Sequence, residues 1–195
     1  MANYNVTFSN WADVSSPGSV STWSGPSSAQ ALDGVCASAL SATNGYSDYL
    51  QGTGPSTLGS AFPANQQLNS IQIEITRMCP TPHPDGVPQD YQLFLVVENT
   101  ILTAINFAAA GAWPVGTLTP ATYTVTATDL EALGIGNGQV DANFGIALSV
   151  QQSSTGFEAS VDQIAATFTT EVVALPYEFV PSTGARYPAI GVLDQ

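Results

Sequence analysis

Apolar and polar residues alternate along this chain in stretch after stretch, and the repeat is two. Over residues 68–77, Leu-Asn-Ser-Ile-Gln-Ile-Glu-Ile-Thr-Arg, the alternation turns Ile71, Ile73 and Ile75 to one side and Gln72, Glu74 and Thr76 to the other. Successive side chains leave opposite faces of an extended backbone, so this pattern predicts a strand with one buried face. Residues 143–150 and 163–170 repeat it, and residues 4–8, 31–39, 101–107, 122–128 and 157–161 are further candidates. Residues 91–97 are almost continuously apolar, which places them inside a sheet rather than at its edge. Pro80, Pro82, Pro84 and Gly86 mark one turn-rich loop and Gly134, Gly136 and Gly138 another. One helical turn is expected over residues 128–133, with Thr128 as its cap.

About nine short strands without an amphipathic helix predict an all-β chain, an antiparallel β-sandwich of jelly-roll-like form. Its core should gather Ile71, Ile73, Ile75, Leu93, Leu95, Phe144, Ile146, Leu148, Ile164 and Phe168. Three regions are expected: an N-terminal strand with a Ser/Pro/Gly-rich segment (1–28), the sandwich (29–172) and an extended C-terminal arm (173–195). The arm holds Pro176, Pro181 and Pro188, which keep it out of a sheet interior. It is too apolar for a free tail, and Tyr177, Phe179, Tyr187 and Ile190 are its candidate partner-binding residues, directed at a neighbouring subunit.

Charge narrows the function. Among 195 residues, 15 are acidic and 2 are basic, for a net charge of −13; the cations are Arg77 and Arg186, and lysine is absent. Neutralising a nucleic-acid backbone takes several Lys or Arg, so no affinity for DNA or RNA is expected. The first residues lack the basic and apolar regions of a secretory signal, so the chain is expected to stay unexported. Its most apolar stretch, residues 101–113, falls short of the roughly 20 apolar residues a membrane helix needs, and no membrane association is expected. Cys36 and Cys79 read as two reduced, buried thiols or as one disulfide between neighbouring strands.

The fragments Ala29-Gln-Ala-Leu-Asp-Gly34, Ser47-Asp-Tyr-Leu50, Ile71-Gln-Ile-Glu-Ile-Thr-Arg77, Asp90-Tyr-Gln-Leu93, Ala112-Trp-Pro114, Asp129-Leu130, Asn143-Phe-Gly-Ile-Ala-Leu148 and Ala159-Ser-Val-Asp-Gln-Ile164 follow one another in an order that resembles β-sandwich structural proteins of tailed bacteriophages. Related sandwiches among bacterial surface and carbohydrate-binding modules look similar. The resemblance spans residues 23–172 and implies a non-enzymatic virion part. It would be a head decoration or cement protein, or else a tail or fibre component. Its partners would be the major capsid protein or other virion subunits, present in multiple copies or as a homo-oligomer. The outer surface of the head is the expected location, because packed DNA would repel so acidic a protein from the inside.

Catalytic chemistry has little footing. The single histidine, His83, lies in the proline-rich loop without a nucleophile elbow and reads as a solvated loop residue. Glu74, Glu98 and Glu158 are the carboxylates a glycosidase would need to pair, but isolated acids on polar strand faces are usually solvated. No resident cofactor is expected; calcium is the one ion the composition suits, with Asp33, Asp85, Asp90 and Asp162 as candidate ligands. Trp11, Trp23 and Trp113 read first as core or inter-sheet plugs. A carbohydrate-binding module, the competing class, would present them as a stacking platform, with Trp113 best placed.

Overall fold

The computed structural model describes residues 1–55, 62–63, 65–81, 86–109, 111–152 and 156–173. Its strands are β1 (Ala2–Val14), β2 (Trp23–Ser24), β3 (Ala37–Ser41), β4 (Gly45–Tyr46), β5 (Tyr49–Pro55), β6 (Gln66–Met78), β7 (Gln89–Val97), β8 (Thr100–Leu102), β9 (Thr119–Val125), β10 (Gly145–Gln152) and β11 (Phe157–Val172); one short helix, α1, covers Ala127–Ala132. Every ladder between these strands is antiparallel. The all-β class expected from the alternation is therefore the class observed.

Two layers arise from the pairing. In sheet A, β9 pairs with β6 and β6 with β11; the far side of β11 is taken by β3 over Phe157–Val161 and by β1 over Ala165–Thr170, with β2 outside β3. Sheet B runs β1, β5, β10, β7, β8, with β4 also against β10. β1 belongs to both, pairing with β11 through Thr7 and with β5 from Phe8 onward, so one continuous strand carries the curl from one sheet into the other. All ten expected core residues are fully buried and belong to one cluster between the sheets.

Local departures from the expected elements each have a cause. Residues 157–161 and 163–170 form the single strand β11, with a register shift between Val161 and Gln163. Phe157, Ala159 and Val161 face the core at odd positions, and Ile164, Ala166 and Phe168 at even ones. One extra residue, Asp162, absorbs the change of phase as a bulge. Over 31–39 the strand begins only at Ala37, because Asp33 accepts the Val35 N–H and Gly34 turns at φ 80°. Over 101–107 it ends at Leu102, and the Asn106 side chain takes over as an edge partner of β7, accepting the Leu93 N–H and donating to the Tyr91 carbonyl. The helix starts earlier than expected: Thr126, not Thr128, is the cap, with Thr126 and Asp129 closing a reciprocal capping box. β5 was disguised by two glycines and a proline. Gly52 is required there, since a Cβ would lie 2.7 Å from the Trp11 ring.

Candidate functional site

Arg77 ends the run of alternate inward residues Ile71, Ile73 and Ile75 on β6, so the pleat points a guanidinium into the protein. It meets Asp90 of β7 in an ion pair whose carboxylate is fully buried. Tyr123 of β9 donates to Asp90 Oδ2 at 2.6 Å and accepts from Arg77 Nη1, while the Trp113 indole N–H donates to Asp90 Oδ1 at 3.0 Å. The guanidinium also lies over the rings of Trp113 and Tyr123, at 5.0 and 5.7 Å from their centroids. Burial first, and the Asp90 charge after it, push the Tyr123 hydroxyl well above its ordinary range, so it stays a donor. Trp113 reaches this position because its loop is tied to both sheets: Cys79 N–H donates to the Pro114 carbonyl and Trp113 N–H to the Pro88 carbonyl. This cluster joins β6 and β9 of sheet A to β7 of sheet B.

A second buried acid holds the segment that follows β1. Asp48 accepts from Ser16 N–H at 2.7 Å and from the Ser19 hydroxyl at 2.5 Å, and its carbonyl accepts the Trp23 indole N–H. Asp13 accepts the Trp23 backbone N–H at 2.8 Å, and burial together with the nearby Asp48 charge raises its pKa.

Of the calcium candidates, Asp33 and Asp162 meet at the Gly34 turn, but the described ones form no three-ligand cluster. Asp90 is spent on Arg77, Asp162 accepts the Gly34 N–H at 3.0 Å, Asp33 holds its own turn, and Asp85 lies outside the described residues. Among the described residues no three His, Cys, Asp or Glu side chains converge. The stacking platform is contradicted as well: Trp23 and Trp113 are buried with bonded indoles, and Trp11 packs edge-on to Phe8 over Gly52. Glu158 lies near the start of β11 and Glu74 pairs with Ala165 at its middle, roughly 20 Å away at about 3.3 Å per residue, and Glu98 sits in the β7–β8 turn of the other sheet. Paired glycosidase carboxylates stand about 5–9.5 Å apart. Both cysteines are free thiols; Cys79 is fully buried, Cys36 half-buried, and burial pushes both thiols up, away from reactivity. His83 and the arm residues Tyr177, Phe179, Tyr187 and Ile190 lie outside the described residues.

The outer face of sheet A carries an extended polar feature that strand register assembles. Asn5, Thr167, Gln72 and Thr124 stand in line across β1, β11, β6 and β9, and Thr7, Ala165, Glu74 and Thr122 form the next row. A groove of about 460 Å³ lies over Asn5, Gln72, Glu74, Gln163 and Thr167. A second depression of about 520 Å³, reaching Ser28, Gln30 and Asp33, shares Thr7 and Gln163 with it. The alternation in β6 had already marked Gln72 and Glu74 as outward; the neighbours they acquire depend on pairing.

These features define a two-layered antiparallel β protein with its interior acids committed to hydrogen bonds and ion pairing, and one open polar trough. The sequence matches no family model and no curated protein. Among solved structures it is similar to a cyclase from Fischerella sp. TAU, at 18% identity and a TM-score of 0.45 over 89% of this chain and 90% of that one. It is also similar to a chain in the structure of infectious bursal disease virus, Gt strain, at 13% identity and a TM-score of 0.36; 89% of this chain is covered, spanning 38% of that one.

Proposed function

We propose that the chain is a non-enzymatic structural protein of a virion, of the head decoration or cement type of a tailed phage. It would stand on the outer surface of the head in many copies, against the major capsid protein or other virion subunits. The observation that carries the reading is where the buried acids go. Asp90 ties the two sheets, Asp48 beside β5 ties down Ser16 and Ser19 of the segment after β1, and Asp162 ties the β11 bulge to Gly34. Carboxylates that an enzyme would hold in a cleft are here spent on rigidity. The ordered motifs of the sequence support the phage assignment, and the net charge of −13 supports the exterior, where no packed phosphate opposes it.

Quantitative mass spectrometry of purified particles tests the role, and protease access to intact heads tests the location. Many copies per particle, digested without opening the head, are expected. Absence from particles refutes the virion role, and protection until the heads are opened refutes the exterior position.

A further inference from the structure

We infer that the trough across the outer face of sheet A binds an uncharged oligosaccharide. The inference is independent of the virion role: the trough belongs to the folded chain wherever that chain resides.

The argument starts from register. Pairing of β1, β11, β6 and β9 lines up amide, hydroxyl and carboxylate groups in adjacent rows, so hydrogen-bonding side chains repeat both along and across the strands. Thr167 donates to Asn5 Oδ1 at 2.9 Å, which orients that amide within the first row. Gln72 and Glu74 are exposed and Gln163 half-buried, and among the described residues their side chains make no hydrogen bond to the protein. Planar amides and carboxylates at such positions suit vicinal sugar hydroxyls, each of which both donates and accepts.

Charge selects among saccharides. Glu74 is the acidic side chain of the groove, and among the described residues no cation lines it. Arg77 is sealed between the sheets. Uronates, sialylated glycans and phosphorylated sugars would meet a carboxylate that no described side chain balances, on a protein of net charge −13. Shape selects a chain over a single ring. The groove lies within the size range of small-ligand sites, about 300–1,000 Å³, and the depression joined to it at Thr7 and Gln163 prolongs it. Since no aromatic ring among the described residues lines either part, recognition rests on hydrogen bonds, and modest affinity follows, in the region of about 1 mM.

The test is an amide NMR titration of the full chain with mannohexaose, maltohexaose, cellohexaose, xylohexaose and chitohexaose in turn, with hexagalacturonate as the anionic comparison. At least one neutral hexasaccharide should saturably shift the amides of Gln72, Glu74, Gln163 and Thr167. Gln72→Ala and Gln163→Ala should each weaken that binding by about tenfold while the urea midpoint holds. The inference is overturned if no neutral sugar moves those amides at roughly 10 mM, if hexagalacturonate binds more tightly, or if the substitutions leave affinity unchanged. Absence of the protein from particles would count only against the virion role.

Discussion

Arg77 shows how much rests on one side chain in a chain so poor in cations. Its guanidinium neutralises Asp90, accepts two aromatic faces and shares the Tyr123 hydroxyl, all behind closed sheets. Removing one partner from a buried pair strands the other, at a cost of about 3–5 kcal/mol, whereas replacing both with apolar residues is far milder. Asp90→Leu should therefore lower the urea-unfolding free energy by about that amount. Adding Arg77→Met should restore most of it; a double variant as unstable as the single one would mean that the charge pair is not the cause. Asp13 behaves in the opposite sense. Burial and the Asp48 charge raise its pKa in the folded protein, so stability tied to its protonated form is complete below about pH 3.9, the unfolded value, and is lost as pH rises through the folded value. Asp13→Asn keeps an acceptor for the Trp23 N–H without a charge. Its urea midpoint should exceed that of the unsubstituted protein at pH 7, and the gain should vanish below about pH 4.

At the scale of elements, close approach of backbones decides which substitutions β5 and β10 tolerate. Gly145 pairs with Thr53, and a Cβ on it would lie 2.1 Å from the Gly52 carbonyl oxygen. Backbone cannot yield there as a flexible side chain does. Gly145→Ala is expected to cost about 1–3 kcal/mol, the usual range for overpacking, and to raise hydrogen exchange first at the β5–β10 ladder. Unchanged exchange along that ladder would refute the contact. The β7–β8 connection is a two-residue turn in which Glu98 and Asn99 both take positive φ, 50° and 61°, a geometry whose twist matches that of the flanking strands.

For the whole molecule, charge sets how an assembly could hold. With 2 basic residues in 195, and Arg77 buried, this chain has few cations to offer an acidic partner. An interface made under that constraint relies on apolar and hydroxyl contacts, which salt screens little. On the proposed virion role, most of the protein should stay on sedimented heads in about 0.5 M NaCl, where screening of surface ion pairs is already strong. Complete release at that salt would refute an apolar attachment. Among the described residues no helix is long and apolar enough to cross a membrane.

Strand positions and the inward set were legible in the sequence because alternation is a local property of the backbone. The parity that places Ile71, Ile73 and Ile75 in the core also carries Arg77 inward, so half of the buried ion pair was already written in β6. Its partner was not, because Asp90 and Tyr123 arrive from other strands through pairings that no local pattern encodes. The β11 bulge hid for a related reason: a change of phase at Asp162 reads along the chain as two strands, and only the unbroken partner β6 reveals one. β5 was absent from the strand candidates because Gly52, Gly54 and Pro55 break the apolar alternation, and only packing against Trp11 and pairing with β1 define it as a strand. The outward polarity of Gln72 and Glu74 came from sequence, whereas the trough came from register, since rows across four strands exist only once distant segments are hydrogen-bonded side by side.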